Sequence, residues 1–177
     1  MCAAPVIASY FTYYVIKPTA RTNYGDLLDP RNYPIPQLGA TTLDGQPAAL
    51  DAYKGKWIML QADDANCPDA CKEKLLDMRQ VRLMQGKEMD RIERVWLITD
   101  DQPLDTLLMR EYDGTHMLRV KRAALAGWLP VDAGGALADY IYIVDPLGNL
   151  MLRFPKKPDP YKMKKDIAKL LTASSIG

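Results

Sequence analysis

Histidine is almost missing from this chain of 177 residues: His116 stands alone, and cysteine occurs three times. Structural zinc sites ordinarily take four Cys or His ligands, so this supply argues against one. Three cysteines are also too few for a secreted scaffold stapled by disulfides. An excess of charge of one sign is absent too. Lys plus Arg total 23 against 22 for Asp plus Glu, a formal charge of +1, so no strong field recruits a polyanion. Aromatic residues are scattered rather than interleaved with basic ones, and no nucleic-acid partner is expected. No internal repeat or low-complexity block appears. With 48% hydrophobic residues, the composition suits one domain with a full core, since domains commonly run from about 100 to 200 residues.

Charge is missing altogether from Cys2 to Ile16, where Val6, Ile7, Tyr10, Phe11, Tyr13, Tyr14, Val15 and Ile16 dominate. Crossing a bilayer takes about 20 apolar residues, so the run is slightly short. Its aromatics crowd toward Lys17, as at a membrane–water interface. We read residues 1–17 as a membrane-anchor segment, the outer half of an anchor truncated at this start, with an amphipathic helix on the domain as the alternative. No cleavage site resembling Ala-x-Ala follows the run, which favours an anchor over a removed signal. No lipobox precedes Cys2 to support lipidation. Residues 18–37 carry Pro18, Pro30, Pro34 and Pro36 and read as a linker lying over the domain. The domain itself is expected over 38–177.

Within it, Asp44-Gly45 between short alternating stretches predicts a hairpin over 40–50. Apolar runs at 56–61, 94–99, 140–144 and 150–154 predict strands, the last two joined as a hairpin by the turn at 145–149. Helices are expected from Pro68 to about Lys87, from a cap at 100–103 to about Tyr112, and from about Asp159 to Ala173, with a helix or turn around Trp128 over 121–136. His116 to Val120 reads as a short extended piece. The order, hairpin then βαβα then ββα, describes an α/β domain with a mixed sheet flanked by helices.

The chemistry concentrates at Asn66-Cys67-Pro68-Asp69-Ala70-Cys71, where the first buried strand meets a helix. A thiolate at a helix N-terminus is stabilised by unpaired N–H groups and the helix dipole, so Cys67 is the expected attacking or metal-binding sulfur. Cys71 is four residues on, one turn along the same face. The pair can close as a disulfide or hold one soft ion such as Cu(I).

These residues resemble the Sco/SenC family, thioredoxin-fold proteins of cytochrome oxidase assembly. Cys67-Pro68-Asp69-Ala70-Cys71 matches the family's Cys-Pro-Asp-x-Cys after a strand. Val95-Trp96-Leu97-Ile98-Thr99-Asp100 and Tyr142-Ile143-Val144-Asp145-Pro146-Leu147-Gly148 match its acidic-ended strand and its Asp-Pro-x-Gly hairpin. The likeness spans nearly all of residues 38–172. It implies a thioredoxin-like fold, a single N-terminal anchor in the cytoplasmic (inner) membrane and a domain facing the periplasm. The activity it implies is copper handling or thiol–disulfide exchange on the copper-site subunit of cytochrome c oxidase, or on another thiol-containing client protein.

The chain departs from the family at the third ligand. The family's copper-binding His should fall near Leu137, in Gly135-Ala136-Leu137-Ala138-Asp139, and no His is there. Lys72 replaces the Pro that usually follows the second cysteine, and Asp139 stands where thioredoxins carry a cis-Pro. His116 and Asp139 are the remaining candidates for a third copper ligand, beside Cys67 and Cys71. Met78, Met84, Met109 and Met163 fall at core spacing and read as packing. Asp63 and Asp64, just before the cysteines, read as a solvated loop pair. Besides a Sco-type assembly factor, a general periplasmic thiol–disulfide oxidoreductase and a non-catalytic interaction domain on the same fold stay open.

Overall fold

A computed structural model describes residues 24–173. The run at 1–17 expected to anchor the chain lies outside these residues. Among the described residues, no helix is long and apolar enough to cross a membrane.

Six strands form one sheet: β1 (Asp26–Leu27), β2 (Trp57–Asp63), β3 (Ile92–Ile98), β4 (Thr115–Arg119), β5 (Ile141–Val144) and β6 (Leu150–Phe154). Their order is β1-β6-β5-β2-β3-β4. β2, β3 and β4 run parallel, whereas β5 lies antiparallel to β2 and forms the expected hairpin with β6. The helices are α1 (Asp69–Leu83), α2 (Thr106–Glu111), α3 (Arg122–Ala126) and α4 (Pro160–Ala173). The mixed, helix-flanked sheet is as expected from the order of apolar runs.

Period-2 alternation divides the strands between two cores. Trp57 and Met59 of β2, with Ile92, Trp96 and Ile98 of β3, face α1 and α4 and meet Leu75, Met78, Met163 and Ile167. Ile58, Leu60, Val95 and Leu97 face the other way, against Leu38, Leu50, Leu125, Trp128 and Tyr142. Met78 and Met163 are buried as packing residues, while Met84 and Met109 are half-buried.

Three local expectations are corrected. The hairpin at 40–50 shrinks to a single bridge between Thr41 and Pro47, because Leu50 turns away into a 3-10 helix, Leu50–Tyr53, and buries its side chain. The cap before α2 is Asp105, whose carboxylate accepts from the Leu107 N–H, rather than the acidic turn at 100–103. The supposed linker does lie over the domain, but from Tyr24 onward it is part of it. Asp26 and Leu27 pair with Arg153 and Leu152, Tyr33 and Ile35 pack on the second core, and the Tyr24 and Gly25 N–H groups donate to Asp166 of α4 at 3.0 and 2.8 Å.

Candidate functional site

β2 ends at Asp63, and six residues later the chain enters α1 at Asp69. The connecting turn is fixed from both sides. Thr99 N–H donates to the Asp63 carbonyl and Ala65 N–H to the Asp100 carboxylate, while Cys67 N–H closes back on the Asp64 carbonyl. The turn forces Cys67 to φ +41°, a left-handed conformation that a residue with a Cβ adopts at about 1–2 kcal/mol. α1 begins two residues later with Asp69 in its first turn, a favourable charge for the helix dipole.

Cys67 and Cys71 are joined in a disulfide, their Cα atoms 5.0 Å apart. Both are fully buried. Asn66, Pro68, Asp69 and Ala70 are exposed around them, so the bond lies just beneath a surface loop. Both cysteines belong to the core cluster that includes Met59, Leu75, Met78, Trp96 and Ile98.

The disulfide also has polar neighbours, and sequence reasoning missed them. The Gln61 Nε2 lies 3.5 Å from the Cys71 Sγ and donates to the Asp63 carboxylate at 2.8 Å. The Lys74 ammonium meets the same carboxylate oxygen at 2.6 Å and also donates to the Ala138 carbonyl. Both side chains of this ion pair are about 5% exposed. Asp63 is therefore not in a solvated loop; that expectation fails because odd-numbered β2 residues face α1, and Asp63 is the last of them. Burial raises its proton affinity, against the opposing pull of Lys74. Burial likewise pushes the Lys74 pKa down, against Asp63 and the more distant Asp139. Asp64 is half-exposed, and its pKa is lowered chiefly by the Thr99 hydroxyl and then by Arg122. The Gln61 Oε1 is buried without a partner.

The two proposed third ligands are not brought to the sulfurs. His116 pairs in register with Val95, whose side chain faces the second core, so the imidazole lies on the opposite sheet face from Cys71. There its Nε2 meets Glu93 at 2.8 Å and its ring packs 4.5 Å from that of Tyr53. Asp139 is nearer, in the 3-10 turn Leu137–Asp139 that packs on β2. Its carboxylate is occupied, accepting from the Ala136 N–H at 3.0 Å with Lys156 at 3.8 Å. Beside this turn a cavity of about 340 Å³ is lined by Ala70, Lys74, Asp77, Ala138, Asp139 and Lys156.

A strand–turn–helix bearing a Cys pair, inside a sheet of this order, has counterparts among known proteins. Residues 57–174 match the family model described as a transmembrane-like, thioredoxin-like C-terminal domain. The chain belongs to that family. Its fold is that of copper-bound yeast Sco1, with a TM-score of 0.61 at 15% identity over 78% of this chain and 95% of that one. A thioredoxin-family thiol:disulfide interchange protein from Chlorobium tepidum superposes with a TM-score of 0.57 at 21% identity, over 81% of this chain and 98% of the other. In sequence, a protein of Stutzerimonas stutzeri named as a candidate copper binder is 35% identical over 80 residues, 45% of this chain. The chain spans 39% of that relative's length.

For copper, as cargo, the donors on offer are the two cysteine sulfurs. Reduction would free two thiolates, but among the described residues no group of three or more His, Cys, Asp and Glu is placed to hold a metal ion. The loop at 137–139 offers the site a carbonyl, and that carbonyl is taken by an ammonium.

Proposed function

We propose that this chain is a thioredoxin-like thiol–disulfide exchange protein acting on the paired cysteines of a copper-site subunit during cytochrome c oxidase assembly. The observation that carries the reading is the Cys67–Cys71 disulfide at the strand-to-helix junction. In the reduced protein Cys67, at the helix start, attacks a client disulfide and forms a mixed disulfide. Cys71 then attacks the Cys67 sulfur and releases the client as a dithiol. Two electrons pass from the Cys pair to the client. The burial of both sulfurs requires the loop 64–70 to open before the client can enter. A disulfide persists in an oxidising compartment, which fits a domain on the periplasmic side of the inner membrane, tethered by residues 1–17. The copper setting rests on the named copper relative and on the shared fold with Sco1.

The test is trapping. Cys71→Ser should accumulate a mixed disulfide with a peptide carrying the two cysteines of an oxidase copper site, and Cys67→Ser should not. Reduction of any disulfide-bonded peptide with equal efficiency would favour a general oxidoreductase. No exchange with any substrate would leave an interaction domain. Tight Cu(I) retention against a competing chelator would favour direct copper handling instead.

A further inference from the structure

Three arginines converge where α1 passes the loop between α2 and β4. Arg79 and Arg82, three residues apart, share one face of α1. The Arg79 Nη1 donates to the Glu111 carbonyl at 2.7 Å, and its guanidinium lies 5.3 Å from the centre of the Tyr112 ring. The Arg82 Nε donates to the Ile92 carbonyl at 2.9 Å, at the start of β3. Two residues along β3, on the face that α1 covers, Arg94 is only 6% exposed. Its Nη2 donates to the Asp113 carbonyl at 3.0 Å. Gly114 sits over this guanidinium, and a Cβ there would come within 2.8 Å of the same Nη2.

Hydrogen bonding in this seam is incomplete. The Arg94 Nη1 is buried without a partner among the described residues, and so is the Thr115 Oγ1. Arg94 and Thr115 stand opposite each other in the β3–β4 register, so their side chains leave the same face of the sheet. A guanidinium only donates, and what the seam lacks is an acceptor. The nearby carboxylates do not supply it. Glu93 is turned to the other face, toward Lys56 and His116. Asp113 meets Arg94 through its main-chain carbonyl, and the exposed Asp90 stands 3.7 Å from Arg82. Burial, followed by the charges of Arg82 and Arg79, weakens the hold of Arg94 on its proton, against Asp113 and Glu93. The three cations therefore crowd one another.

We propose that Arg79, Arg82, Arg94 and Thr115 form a site for a small phosphate-class oxyanion, with the Arg94 Nη1 and the Thr115 hydroxyl as buried donors and Arg79 and Arg82 at the half-buried rim. A tetrahedral ion presents oxygens in several directions, which suits donors arriving from α1, β3 and β4. Its charge of up to two answers three guanidinium groups better than the single charge of a planar carboxylate does. Glycine at 114 keeps the loop from pressing a side chain onto Arg94. These four residues take no part in the exchange proposed above, so the two readings stand or fall separately.

Isothermal titration of the oxidised full chain with inorganic phosphate, in a phosphate-free chloride buffer, tests the site. Saturable binding of one ion per chain is expected, with a Tm that climbs as phosphate is added. Arg94→Lys keeps the charge and loses the fork. It and Arg79→Gln should each weaken binding by about tenfold or more, the loss expected for a charge-assisted hydrogen bond. Thr115→Val, which removes only the hydroxyl, should weaken it about fivefold. Lys165→Gln, which deletes an exposed cation of α4 outside the cluster, should leave binding unchanged. Arg79 lies at the half-buried rim, so its variant keeps the fold and stays interpretable if Arg94→Lys does not. Absence of saturable binding in the wild type would overturn the proposal. So would an affinity unchanged in both Arg79→Gln and Thr115→Val, or an equal rise in Tm with acetate or with chloride at matched ionic strength.

Discussion

Replacing Lys74 by Met removes one member of a buried ion pair and leaves the other. Lys74 and Asp63 are 2.6 Å apart and each about 5% exposed, so Asp63 would keep one donor, Gln61, and lose its countercharge. Stripping one partner from such a pair destabilises by about 3–5 kcal/mol, against a total of about 5–15 kcal/mol for a domain. The Lys74→Met protein should thus lose about a fifth or more of its stability at pH 8. The sign with pH follows from Asp63. Burial already raises its pKa, and without the cation that pKa rises further above its unfolded value. The penalty is then full above the folded pKa, and shrinks as pH falls toward the unfolded value near 4. Urea unfolding followed by Trp fluorescence measures this directly, since the Trp96 Nε1 bonds the Asp63 carbonyl at 3.1 Å. Asp63→Asn/Lys74→Met should recover most of the loss, giving a coupling of about 2–4 kcal/mol between the sites. A Lys74→Met loss below about 1 kcal/mol at pH 8, or a loss that does not shrink at pH 5, would refute the reasoning.

Two further outcomes follow from other groups. Asp77 is half-buried, and burial followed by the charges of Glu73 and Asp159 lifts its pKa to about 6. Its charge therefore opposes folding above that pH, so Asp77→Asn should stabilise by about 1 kcal/mol at pH 7 after allowing for partial solvent screening. The gain should fade as pH falls through 6 toward 4, as urea titrations at the two pH values would read. Reducing the disulfide should lower stability by about 2 kcal/mol, from the entropy of freeing a short loop whose cysteines are four residues apart. Thermal unfolding with and without a phosphine reductant measures the difference, with Cys67→Ser/Cys71→Ser as the matched control.

Much of the sheet was legible because its apolar runs are short and bounded by turn residues. β2, β3, β5 and β6 all fall where such runs do, within one or two residues. The edges were harder to read. β1 has only two residues and exists because β6 needed a partner, a tertiary fact with no local pattern. The reactive pair was legible from spacing and placement. Its surroundings were half legible: Lys74 sits on the α1 stripe with Cys71, Leu75, Met78 and Val81, and Asp63 shares the β2 face of Met59. Following both periodicities to their ends would have placed a cation and an anion against each other. Reading Asp63 with Asp64 as a loop pair cut the strand two residues too early. His116 failed as a ligand for the same kind of reason, since the parity of β4 turns it to the other face.

Stability does not account for the buried pair. Exchanging a buried Lys–Asp pair for apolar residues of like volume is often neutral or favourable, and α1 has an apolar stripe ready to accept one. What the pair does supply, next to Cys71, is a charge whose proton affinity burial has shifted, a contact to the sulfur through one amide, and an opening to solvent through the cavity at Lys74. The turn at 137–139 completes the arrangement by giving Lys74 a carbonyl instead of giving the sulfurs a third donor.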